Sequence, residues 1–413
     1  MILKIGKNKL LYVIYMMFIL NVNYSVFNTS HKYIFSGILF LWCLLLVLAN
    51  IIRNHYDYVF WSGVEGFVIP MIAVTMLSTL SAILIYHTPV RGDYTQSIIR
   101  ALHYCEAYTI AYFSYKWFGK DCIRLYIVSG LISYSTTVIR FFAYGGIDAF
   151  THLFNTKFND VTLEVHNLTY ILGLFFLYYI TSSDYSKKTK KNICLILAVA
   201  IFLGNKRALY LGMAVSALTY YLFHKFDGKR TKLLKFLLLV YIIVAFGYIF
   251  MIKYGVFEAI MTMLNIKTNS RLIFWNYFNP IYELSPSYLG RGLAYTSNVM
   301  NTELFLRSNR ISSGTELHND ILRAYIGWGF MPFVCYFFNF IYLQTSKIIK
   351  QKGKNIGWKF FSIMSCVFFI YFFDNMLDNI DFNIAFFMIW VVYMKTDLIT
   401  KNMNMVHSTG EVI

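Results

Sequence analysis

Long apolar stretches, broken by short polar clusters, run the length of the chain. About twelve can be marked, roughly over 10–27, 33–52, 67–86, 98–117, 122–142, 163–181, 193–205, 208–223, 236–252, 321–343, 359–373 and 382–395. Most approach the ~20 residues that a helix needs to cross a bilayer. None shows the alternating segments of about ten residues that mark a transmembrane barrel. The pattern predicts an all-α, polytopic membrane fold with about 12 transmembrane helices, forming a single transmembrane domain over 1–413. The seventh and eighth segments, at about 13 and 16 residues, are each too short to span ~30 Å at 1.5 Å per residue. The turn between them is therefore expected to sit below the membrane surface.

Two stretches depart from the rhythm of short connections. Over 145–160, Ile147, Phe150, Phe154, Phe158 and Val161 share one helical face, which predicts a helix lying in the outer membrane interface. The stretch 253–320 is the only connection long enough for an external substructure. Within it, Asn269 or Ser270 can cap a helix through Leu272, Trp275 and Phe278, and Pro280, Pro286, Gly290 and Gly292 then punctuate a turn-rich run.

Composition agrees with a lipid solvent. Hydrophobic residues make up 58% of the 413 positions and charged residues 14%, against roughly 25% charged in soluble domains. The net charge of +17 would suggest nucleic acid in a soluble protein. Here most Lys and Arg, including Lys187, Lys188, Lys190 and Lys191, fall in alternate connections, as cytoplasmic loops do. That distribution puts both termini in the cytoplasm and leaves no nucleic-acid motif. Lys4, Lys7 and Lys9 precede a first apolar stretch without a small-residue cleavage site, which reads as an uncleaved span. The six cysteines form no C-x-x-C pair and no zinc spacing, so neither a disulfide framework nor a metal site is expected.

Four positions offer chemistry. Lys206 and Arg207 lie at the turn between segments seven and eight, where charge at depth faces a cavity or a partner. Beside the N-terminus of the next helix they would suit a lipid-linked phosphate. Arg271 precedes an aromatic helical face in the long connection, and Arg291 sits between Gly290 and Gly292. His318, flanked by Glu316 and Asp320, ends that connection at the mouth of an apolar helix that carries Gly327 and Gly329.

These residues resemble the signature of the O-antigen polymerase and O-antigen ligase superfamily. His318, Asn319, Leu322, Gly327 and Gly329 match its His-Asn-x-x-Leu run and the aliphatic-Gly-x-Gly span that follows. Asn205-Lys206-Arg207-Ala208 is similar to its arginine at a helix start, and Arg271 before Trp275 matches the arginine that opens its large periplasmic loop. One departure is Lys206, which stands where the family often has serine, so either basic residue can make the phosphate contact.

The resemblance implies a membrane glycosyltransferase without metal or cofactor, acting on undecaprenyl-pyrophosphate-linked oligosaccharides at the outer face of a bacterial cytoplasmic membrane. Membrane lipids and a chain-length regulator and flippase of the same pathway are its implied partners. Fixed cations (Arg207, Lys206, Arg271 and, in reserve, Arg291) would stabilise the leaving pyrophosphate. His318 would take the acceptor's proton, oriented by Glu316. The favoured reading is a Wzy-type polymerase of O-antigen, capsule or exopolysaccharide repeat units. A ligase that transfers glycan to lipid A-core is the alternative, and a flippase of lipid-linked sugars is the third reading.

Overall fold

A computed structural model describes residues 7–22, 29–53, 56–87, 93–146, 166–226, 230–265, 271–302, 305–306 and 316–396. Among the described residues the elements are helical and none is a strand. In order they are α1 (Lys7–Val22), α2 (Thr29–Ile52), α3 (Tyr58–Gly63), α4 (Ile69–Leu84), α5 (Asp93–Phe118), α6 (Asp121–Gly145), α7 (His166–Thr181), α8 (Lys187–Gly204) and α9 (Arg207–Lys225). Next come α10 (Arg230–Lys253), α11 (Val256–Met263), α12 (Arg271–Phe278), α13 (Tyr295–Met300), α14 (Asp320–Trp328), α15 (Phe330–Phe337), α16 (Gln344–Lys352), α17 (Lys354–Ile370) and α18 (Ile380–Lys395). The helix expected over 145–160 falls, from 147 on, outside the described residues.

Three helical stretches, Tyr58–Leu84, Asp121–Ala143 and Lys232–Lys253, are long and apolar enough to cross a membrane. The first passes through a five-residue π-helical turn, Val64–Val68, that joins α3 to α4. Large apolar side chains face outward along them, among them Met76, Leu77, Leu80, Phe236, Leu239 and Ile243. In water an apolar surface this extensive would drive association; in lipid it costs nothing. The interior belongs to α17 and α18. Every residue of α18 from Ile380 to Met394 is buried, with Phe387 edge-on to Tyr104 and Tyr108 of α5. On the other side α17 packs on α9, where Trp358 meets Phe223 at 3.6 Å between ring centroids and Gly212 lies against Cys366.

Two expectations are corrected. Helices α8 and α9 are 18 and 19 residues long, not about 13 and 16, because each helix runs beyond its apolar core. In α8 the Ser186 side chain caps Thr189 N and carries the helix through four lysines. The shortness that was to sink their turn below the surface is therefore absent. The span over 321–343 is likewise not one helix. It ends at Trp328, and Gly329 adopts φ +82 before α15 begins.

That break has a partner. The Gly290-Arg291-Gly292 segment runs beside it, with Arg291 N donating to Ile326 O (2.9 Å) and Gly292 N to Gly327 O (2.8 Å). A Cβ on Gly290 would lie 2.3 Å from the Trp328 carbonyl carbon, and one on Gly329 2.4 Å from that of Leu289. Both glycines are there for backbone-to-backbone approach.

The starts of α5, α7, α9 and α14 and the α17–α18 connection, residues 371–379, come together at one end of the bundle.

Candidate active site

His318 is the last residue but one before α14. Asn319 caps that helix, its Oδ1 accepting from Leu322 N at 3.0 Å, and this forces the preceding chain into a tight entry. His318 has φ +50, a left-handed conformation that costs a non-glycine residue energy and persists only where its neighbours hold it. The neighbours are identifiable. Trp275 of α12 donates Nε1–H to Leu317 O (3.1 Å). Asn319 Nδ2 donates to Tyr248 Oη of α10 (3.4 Å), which in turn donates to Phe372 O (3.1 Å).

The His318 side chain, one-third exposed, points its Nδ1 at Asp374 Oδ1, 3.4 Å away. Asp374 is buried in the α17–α18 connection. Its Oδ2 accepts from Tyr170 Oη of α7 (2.8 Å) and lies 3.9 Å from Lys206 Nζ. Its Oδ1 also accepts from Asn375 N at 3.0 Å. An imidazole, a carboxylate, a phenol and an ammonium thus meet from four separate parts of the chain. A tautomer that carries its proton on Nδ1, toward Asp374, would leave the Nε2 lone pair free.

The expected site residues are not all in this cluster. Lys206 is buried and turned inward, while Arg207, the first residue of α9, is exposed with no partner among the described contacts. Arg271 opens α12 half-buried, within electrostatic reach of Tyr248. Arg291 is elsewhere. Its guanidinium stacks 3.7 Å over the Tyr86 ring and donates to Ile281 O (3.3 Å), at the Trp328 end of α14 rather than the His318 end.

Glu316 does not orient His318. Its carboxylate is taken by Arg100 of α5 (2.9 Å) and by Ser297 Oγ (2.6 Å). Burial raises the Glu316 carboxyl, but Arg100, Arg323 and the Ser297 hydrogen bond outweigh that and leave it below its ordinary value. The carboxylate that faces the His318 ring is that of Asp374. Sequence reasoning passed over Asp374, Tyr170 and Arg100. The available signal was ionisable residues next to apolar segments, with Asp374 and Asp378 spaced four apart between the last two.

Residues 193–337 match the family model described as O-antigen ligase. The match spans about a third of the chain and is consistent with the O-antigen polymerase and ligase superfamily. No curated protein matches the chain. The matched segment holds Lys206, Arg207, Arg271, Arg291, Glu316 and His318, whereas Arg100, Tyr170 and Asp374 lie outside it. Together with the apolar helices, the match points to a membrane protein with glycosyltransferase-like activity of the O-antigen polymerase or ligase type.

Proposed function

We propose that this chain polymerises lipid-linked oligosaccharide repeat units. A growing glycan on undecaprenyl pyrophosphate is the donor, and a hydroxyl of the next repeat unit is the acceptor. The observation that carries the reading is the His318–Asp374 pair beside Lys206, assembled within and around the O-antigen ligase domain. His318 Nε2 removes the acceptor proton as the oxygen attacks the sugar's C1, and the C1–pyrophosphate bond breaks. The pyrophosphate leaves with added negative charge, which Arg207 and Arg271 offset without a metal. Lys206 already faces Asp374 and keeps that buried carboxylate neutralised. The exposed Arg207 is the better placed of the two for a lipid-borne anion.

A second reading, ligation of finished glycan to lipid A-core, is favoured by the description of the matched family. The glycan profile of cells lacking the chain separates them. A missing polymerase leaves single repeat units on the carrier or on the core. A missing ligase leaves a bare core with long polymer still on the carrier, and that result overturns the polymerase reading.

The proposal also fixes an orientation, with the His318 end on the outer face. Reporter fusions at Ser186, Lys229 and Lys352 should read as cytoplasmic, and fusions at Asn155 and Asn309 as external. A cytoplasmic signal at Asn309 would put the site on the wrong side for an outer-face donor.

A further inference from the structure

We propose that Arg100 is a positioning residue for the His318–Asp374 pair, acting through a partly buried ion network that joins the two segments carrying them. The inference rests on the reading of His318 as the base and extends it to a residue of α5, outside the matched domain. Glu316 and Asp320 stand two residues to either side of His318, and Asp378 stands four residues beyond Asp374. All three carboxylates are held by two guanidinium groups. Arg100 donates Nη1–H to Asp378 Oδ2 (2.7 Å), and its Nη2 reaches Glu316 Oε1 and Ser297 Oγ, each at 2.9 Å. Arg323, 1% exposed, grips Asp378 through both terminal nitrogens (2.7 and 3.1 Å) and meets Asp320 Oδ1 at 2.5 Å. The other oxygen of Asp320 accepts from the backbone of Met376 (2.5 Å) and Leu377 (2.6 Å), directly between Asp374 and Asp378.

Beyond the His318–Asp374 contact itself, residues 316–320 and 374–378 are therefore tied together through Arg100, through Arg323 and through the Asp320 carboxylate, and among the described residues Arg100 grips both segments from a third element. This matters because the pair is held loosely by its own contact, 3.4 Å, and His318 sits in a conformation that its surroundings must enforce. Without Arg100, the part-exposed Glu316 keeps only its Ser297 hydrogen bond and Asp378 keeps only Arg323, so the link that Arg100 makes between the two segments is lost. The segment before His318 would then be free to move against the connection holding Asp374. A displacement of about 1 Å at a reacting group can cost about 10²-fold in rate.

The test uses the full chain reconstituted in vesicles, with the lipid-linked oligosaccharide that accumulates in cells lacking the protein as the probe. Rates are read in single turnovers with enzyme in excess. Arg100→Gln should slow transfer by about 10²-fold with the half-saturating donor concentration little changed, because no donor contact is removed. Arg100→Lys should recover part of the loss, since one ammonium can hold one of the two carboxylates. The decisive readout is non-additivity. Combined with His318→Ala, Arg100→Gln should slow the residual rate no further, because a positioning residue has nothing left to position. A full slowing in that background, or wild-type turnover in Arg100→Gln, overturns the proposal. If Arg100→Gln fails to insert, Arg100→Lys decides: slowed turnover at unchanged half-saturation supports the proposal, and full turnover overturns it. Wild-type turnover in His318→Ala would instead overturn the assignment of the base, a separate failure.

Discussion

His318→Ala should lower glycosyl transfer by about 10² to 10⁴-fold while leaving donor binding nearly intact. That range is what a positioned general base typically contributes. The imidazole is the group at the cluster that can accept a proton at Nε2 while Asp374 engages Nδ1. The cations proposed for the donor, Arg207 and Arg271, belong to different elements and remain. Asp374→Asn should also slow transfer, since an amide no longer stabilises the imidazolium and leaves Lys206 without its carboxylate. Cells carrying His318→Ala should accumulate single repeat units. His166→Ala, at the start of α7, is the control and should keep wild-type chain length. Normal polymer from His318→Ala with none from His166→Ala would mean that the base is the other histidine.

The second large effect should come from the cations, and it should divide them. Arg207→Ala and Arg271→Ala should each lower transfer by roughly 10²–10³-fold, the loss expected for one fixed electrostatic contact to a developing anion. Lysine should rescue poorly where a planar, two-pronged contact to phosphate is needed. Lys206→Ala should also lower transfer but for another reason, because it removes a cation that lies 3.9 Å from the buried Asp374 carboxylate. The separating measurement is transfer rate against donor concentration. The arginine variants should require more donor, and the Lys206 variant should turn over slowly at every concentration. Wild-type chain length in both arginine variants would return them to anchors at the membrane surface.

What the chain discloses about itself follows from how each feature is encoded. Apolar runs locate helices because lipid-facing and core-facing surfaces both demand them, so segments such as 236–252 reappear inside α10. Their lengths are less legible. The lysines that open α8 are helical, though they contribute nothing to an apolar count. The break at Gly329 also hides inside an apolar run, since its cause is the close approach of Gly290 from a distant segment. In the site, His318 stands out because its local sequence is distinctive. Asp374 does not, because its meaning depends on Tyr170 and Lys206, each far away in the chain. Glu316 illustrates the converse: sequence proximity to His318 suggested a partnership, but its carboxylate faces Arg100. The left-handed turn at His318 interrupts the extended alternation that would otherwise put residues 316 and 318 on one side.

The most direct test of the central claim is transfer by the purified protein in vesicles supplied only with lipid-linked repeat units. Polymerase chemistry at the His318–Asp374 cluster predicts a ladder of glycans in whole multiples of the repeat unit from the wild-type chain, and no ladder from His318→Ala at equal donor occupancy. A ladder of unchanged length and rate from His318→Ala, or no ladder from the wild-type chain until a lipid A-core acceptor is added, would contradict it.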